Sequence, residues 1–193
     1  MSGSSLDSLS SCIRPTPDEL MASPPETNFV GAFWDYENCS IPSGGKMADV
    51  VRRLKGICRA YGEDISIRAY GKQALLGSRS SDLQACGAEF VQVPSGKEMA
   101  DKAMILDVMC FAFDFKEWIR EAHITQHEKS PSRISSISRS AGLSVVLITA
   151  DSGFVPLVSG LRARGVKVVV VTRIPSPLKS HPVSFVNLYI LSM

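Results

Sequence analysis

SVVLITADSGFVPLVSGLRARGVKVVVV, residues 144–171, is the stretch that decides the fold class. Two continuous β-branched runs, Ser144–Thr149 and Val166–Val171, flank a helix-length connection that starts near Phe154 and stops at Gly165. Runs that are apolar throughout, without alternation, belong to strands buried on both faces, which is the situation of a parallel sheet covered by helices. Upstream, Phe29–Trp34 is a third such run and empties abruptly into the polar Asp35-Tyr36-Glu37-Asn38. KMADVVRRLKGICRAYG then sets Met47, Val50, Val51, Leu54, Ile57 and Cys58 at three- and four-residue spacing and ends on Gly62, the pattern of an amphipathic helix. Ile65–Tyr70 and Glu89–Val93 read as strands, Ser80–Ala85 as a short helix, and residues 97–122 as a long, largely buried helix. SFVNLYILSM at 184–193 is a candidate edge strand. Strands alternating with helices in this way predict a three-layer α/β/α Rossmann-like fold with a mainly parallel central sheet.

The 193 residues suit one domain, and 45% hydrophobic with 21% charged residues excludes a wholly disordered or fibrous chain. Lys+Arg number 21 against 19 Asp+Glu, so any grip on a polyanion must come from a local groove and not from bulk charge. Cys12, Cys39, Cys58, Cys86 and Cys110 are odd in number and lack a CxxC pair, which fits reduced thiols better than disulfides or a zinc site. No secretory signal or membrane-spanning run is evident, so the expected location is intracellular, cytoplasmic or nuclear, with no membrane partner. Residues 1–27 carry seven Ser and four Pro without periodicity and are expected to form a disordered tail. The Ser- and basic-rich residues 127–142 are expected to form a flexible insertion.

In open α/β sheets, ligands bind beyond the carboxyl ends of the strands. Asp35 and Asp151 each follow a strand directly, and Asp101 begins the helix after the third strand, so the three carboxylates are expected on one rim with Asn38 beside them. Clustered carboxylates call for a compensating cation, and hard oxygen ligands select Mg²⁺ or Mn²⁺, the ions of phosphoryl chemistry. Phosphodiester hydrolysis is the predicted reaction; strand-end Asp residues also occur in phosphatases and receiver domains. Glu37 is expected to face away. Asp107, about 120° around the helix from Asp101, is a poor substitute ligand. His123, His127 and His181 show no ligand spacing and are read as exposed. Trp34 and Phe154 are read as packing residues, with stacking on a base as the alternative. Lys46, Lys72, Arg79, Lys97 and Lys102 lie near the rim and are candidates to meet a phosphate backbone.

GAFWDYENC (31–39), GKEMADKAMILDVM (96–109) and LITADSGFVPLVSGLRARGVKVVVV (147–171), in this order, resemble the NYN domain family of PIN-like ribonucleases, especially the meiosis-arrest-female (limkain b) type. The resemblance covers roughly residues 28–172 apart from the insertion near 127–142. It implies a PIN-like nuclease domain, taken as 28–193, and a Mg²⁺- or Mn²⁺-dependent endoribonuclease that cuts single-stranded RNA in RNA turnover or silencing. By motif position it implies a catalytic set of Asp35, Asn38, Asp101, Asp151 and Ser152, with Asp35, Asp101 and Asp151 as metal ligands. Two departures stand out: Gly153 replaces the second acid of a D-S-D-F motif, and Lys72 replaces an acid after strand two. Both reduce negative charge at the site, so a catalytically weakened NYN-fold module binding RNA or protein is the alternative reading. Homodimerisation and the identity of any recruiting protein stay open.

Overall fold

The computed structural model describes residues 28–41, 44–62, 64–77, 79–129, 142–172 and 184–187. The expected tail, most of the expected insertion and His181 lie outside them, as do the side chains of His123 and His127. The strands are β1 (Phe29–Asp35), β2 (Asp64–Gly71), β3 (Glu89–Gln92), β4 (Leu143–Ile148), β5 (Lys167–Thr172) and β6 (Ser184–Asn187). The helices are α1 (Met47–Arg59), α2 (Gln73–Leu76), α3 (Arg79–Ala85), α4 (Met99–Lys129) and α5 (Val155–Ala163), the last preceded by a 3₁₀ turn over Ser152–Phe154.

Among the described residues, all six strands are parallel, in the order β3-β2-β1-β4-β5-β6. Chain order runs outward from β1 to β3, then returns to the other side of β1 at β4, so the switch point lies between β1 and β4. Every described side chain of β4 is buried, which explains why its sequence shows no alternation. On one face, Val30, Ala32 and Trp34 of β1 pack with Val50, Val51, Leu54 and Cys58 of α1 and with Leu76 and Leu83 of α2 and α3. On the other, Phe33 and Tyr70 pack with Ala100, Met104, Val108 and Ala112 of α4 and with Leu157, Val158 and Leu161 of α5. The two faces make the expected three-layer α/β/α architecture.

Helix α4 continues through His127–Lys129, three residues that the sequence reading gave to the insertion. Its Gln, Glu and Lys residues are good helix formers, and the first breaker is Pro131. The short helix α2 was not anticipated, being only four residues long. Cys39, Cys58, Cys86 and Cys110 are thiols, and burial pushes the Cys58 thiol up to about 12, so that site is unreactive near neutrality.

Close approach of α4 to β1 depends on Gly31. A Cβ there would lie 2.5 Å from one ring carbon of Phe111 and 2.6 Å from one of Phe33. Gly31→Val therefore forces helix and sheet apart, and thermal or denaturant unfolding is expected to show a loss of about 1–3 kcal/mol.

Candidate functional site

Asp35 ends β1 at the switch point and is 1% exposed. A buried carboxylate needs donors, and this one has three. The Asn38 backbone N–H donates to Oδ1 at 3.1 Å, and Asn38 Nδ2 donates to Oδ2 at 2.8 Å. The Thr149 hydroxyl, 114 residues away in sequence, also donates to Oδ2 at 2.8 Å. Burial pushes the Asp35 carboxyl up, the three hydrogen bonds pull it down, and the nearby charge of Asp151 raises it further; the net direction is upward.

The loop after β1 is fixed from several sides. Cys39 N–H donates to the Asp35 carbonyl at 2.9 Å, and the buried Trp34 indole donates to the Cys39 carbonyl at 2.9 Å. Trp34 and Phe154 are each 1% exposed, which rules out base stacking by either ring in this conformation and leaves the packing role.

Thr149 is the residue that sequence reasoning missed. It is fully buried just past β4; its hydroxyl donates to Asp35 and accepts from the Asp151 N–H at 3.1 Å. One oxygen thus ties the ends of β1 and β4 to the loop that carries the second acid. The signal was the hydroxyl two residues before Asp151, hidden because Thr is an ordinary strand residue. Asp151 itself accepts from the Gly153 N–H at 2.8 Å and caps the 3₁₀ turn that carries the exposed Ser152.

Asp101 lies in the first turn of α4. Partial burial, then the charges of Asp35, Asp151, Glu37 and Glu98, push its carboxyl up to about 6. The rim therefore gathers Asp35, Asp101 and Asp151 into one electrostatic group, and Glu37 belongs to it as well. Here the sequence expectation fails. The Tyr36 N–H donates to the Tyr70 carbonyl at 3.0 Å. Tyr36 packs on the α1 side, while the charge of Glu37, in the turn after β1, reaches Asp101. Glu98, held at φ 58, stands between Lys97 and Lys102 at 3.9 and 3.8 Å. Asp107 is committed elsewhere: its Oδ2 accepts from the Tyr70 hydroxyl at 2.7 Å and from Arg68 at 3.2 Å.

Of the candidate phosphate contacts, Lys46 is exposed and directly precedes α1, Arg79 opens α3, and Lys72 directly precedes α2 and faces Glu37. Lys97 and Lys102 are both exposed and share Glu98, which offsets part of their pull on a polyanion.

The donor chemistry suits a hard divalent cation. Asp35 and Asp101 both have raised proton affinity, and Asp35 Oδ1 receives only one of the two hydrogen bonds that it can accept. Among the described residues no three His, Cys, Asp or Glu side chains close on a common point. An ion at this rim would therefore have to keep several of its waters, since the described carboxylates form no all-protein cage.

The family model of the NYN domain matches residues 29–119, a span that holds Asp35, Asn38 and Asp101 and stops before Asp151 and Ser152. No curated protein matches the chain. Over that segment the chain is similar to the NYN domain family, and the parallel sheet flanked by helices is consistent with an α/β PIN-like fold. Among the described residues, no helix is long and apolar enough to cross a membrane.

Two outcomes follow from these contacts. Thr149→Val leaves the Asp35 carboxylate short of a buried donor and is expected to cost about 1–3 kcal/mol in unfolding experiments, with Thr149→Ser close to wild type. Asp101, raised from 3.8 to about 6, binds its proton more tightly when folded, so stability falls as pH rises between those values. Asp101→Asn is expected to flatten that part of the melting-temperature profile, and Mn²⁺ is expected to lower the Asp101 titration midpoint followed by NMR.

Proposed function

We propose that the chain is a Mg²⁺- or Mn²⁺-dependent endoribonuclease that hydrolyses single-stranded RNA. The observation that carries this reading is the set of mutually repelling carboxylates at the β1/β4 switch point, within and beside a segment matched by the NYN model. Asp35, Asp101 and Asp151 would hold the ion. When bound, it supplies charge neutralisation at the phosphate and an activated water.

The protein's own groups divide the remaining work. Asn38 and Thr149 fix the Asp35 carboxylate, so that its orientation costs nothing at the moment of reaction. Asp101, with its midpoint near 6, holds or releases a proton close to neutrality when no cation is present. Asn38 and Ser152 orient a water or a phosphate oxygen from the loops on either side. Lys46, Lys72, Arg79, Lys97 and Lys102 attract the RNA backbone without reading its sequence. Resemblance to the meiosis-arrest-female type, and a role in intracellular RNA turnover or silencing, rest on the motif strings alone.

One observation favours the second reading, a weakened module that binds RNA or protein. The Cβ direction of Gly153 points to Asp151, 3.3 Å from its Oδ1, so an acid at 153 would add charge beside Asp151 that this chain lacks.

The test is cleavage of a labelled, unstructured RNA oligonucleotide with Mn²⁺, Mg²⁺ or EDTA. Asp101→Asn and Asp151→Asn are the informative variants, since the first is only half-buried and the second keeps an oxygen to cap Gly153. Asp35→Asn would place an amide N–H₂ against bound donors and destabilise the fold. Metal-dependent fragments from the wild type, reduced about 100-fold or more in both variants, are the expected result for groups of this kind. Salt-sensitive RNA binding that survives chelation, with no fragments under any ion, would replace the nuclease by the binding module.

A further inference from the structure

Lys72 follows the last residue of β2, and its Nζ lies 3.9 Å from Glu37 Oε1. The geometry is that of an ion pair and too long for a hydrogen bond. Glu37 Oε1 is shut off from solvent and has no hydrogen-bond partner, so the ammonium is the neighbour that offsets its charge. The Lys72 side chain remains 40% exposed, so it can leave. Glu37 also acts on Asp101, which links the pair to the rim. The chain therefore carries a built-in monovalent cation at the edge of a site whose carboxylates suit a divalent one.

We propose that Lys72 sets the divalent-ion affinity of this site by occupying Glu37, the fourth carboxylate of the rim. With the ammonium on Glu37, an incoming ion meets one fewer available negative charge and one nearby positive charge. With the ammonium withdrawn, Glu37 adds its charge to those of Asp35, Asp101 and Asp151. The inference rests on the nuclease-site reading and assigns the departure at position 72 a specific effect: weaker metal binding that is set by a single removable contact. A side chain that reaches Glu37 only at 3.9 Å gains little from a hydrogen bond, so its contribution is Coulombic and responds to neutralisation.

Mn²⁺ binding to the purified chain without RNA, by titration calorimetry or by the loss of free-ion signal in electron paramagnetic resonance, reads this directly. Lys72→Met keeps the apolar stem and removes the charge. It is expected to bind Mn²⁺ about three- to thirty-fold more tightly than wild type, the range one partly screened charge supports at short distance. In a Glu37→Gln background the same Lys72→Met change is expected to give a clearly smaller gain, because its partner is gone. Asp101→Asn serves as the control for the site itself. Unchanged or weaker binding in Lys72→Met, with binding lost in Asp101→Asn, would overturn the role of Lys72 and leave the metal site standing. An equal gain with and without Glu37 would overturn the route through Glu37. Absence of Mn²⁺ binding in both wild type and Lys72→Met would overturn the site reading and the Lys72 inference together.

Discussion

A carboxylate removed almost wholly from water needs compensation in every direction, and Asp35 obtains it from parts of the chain far apart in sequence. Asn38 supplies two donors from the loop that Asp35 itself begins, and Thr149 supplies the third from the end of β4. Those bonds form only if β1 and β4 are adjacent and in register, since Trp34 pairs with Ile148 immediately before the two residues meet. The burial of this one group therefore constrains the strand order, the loop after β1 and the start of the 3₁₀ turn at once.

The remaining acids of the rim stand in a different relation to the fold. Asp151 serves as a cap for Gly153, but Asp101 is raised by partial burial and then by the charges of its neighbours, and sits there against electrostatic resistance. The chain answers part of that resistance with its own cations. Lys97 and Lys102 flank Glu98, and Lys72 faces Glu37, so two of the peripheral carboxylates are countered by lysines. The central three have no lysine among their described ion pairs, and that is the location at which a divalent ion would relieve the most repulsion.

Most of the architecture was legible because each buried strand announces itself by the absence of alternation: β4 and β5 carry almost nothing but branched apolar residues. The positions of Asp35 and Asp151 followed from the rule that strand ends meet at one rim. What stayed hidden depended on direction and not on residue type. Thr149 looks like the last residue of a strand until its hydroxyl is seen to serve both Asp35 and Asp151. Glu37 was expected to face away because its odd offset in the string was read as that of an extended chain, whereas residues 36–38 form a turn and its charge reaches Asp101. The reach of α4 to Lys129 was missed for a simpler reason, since composition changed before helix propensity did.

The hydrogen bonding of Asp35 also bears on how related chains are to be read. An acid bound into both central strands is under selection for folding whether or not any RNA is cut, so its presence in a homologue carries little information about activity. Asp101 is the reverse case, a residue that a decaying enzyme would lose at a gain in stability. In a lineage drifting from catalysis toward binding, the aspartate at the start of α4 should disappear first and the one at the end of β1 last.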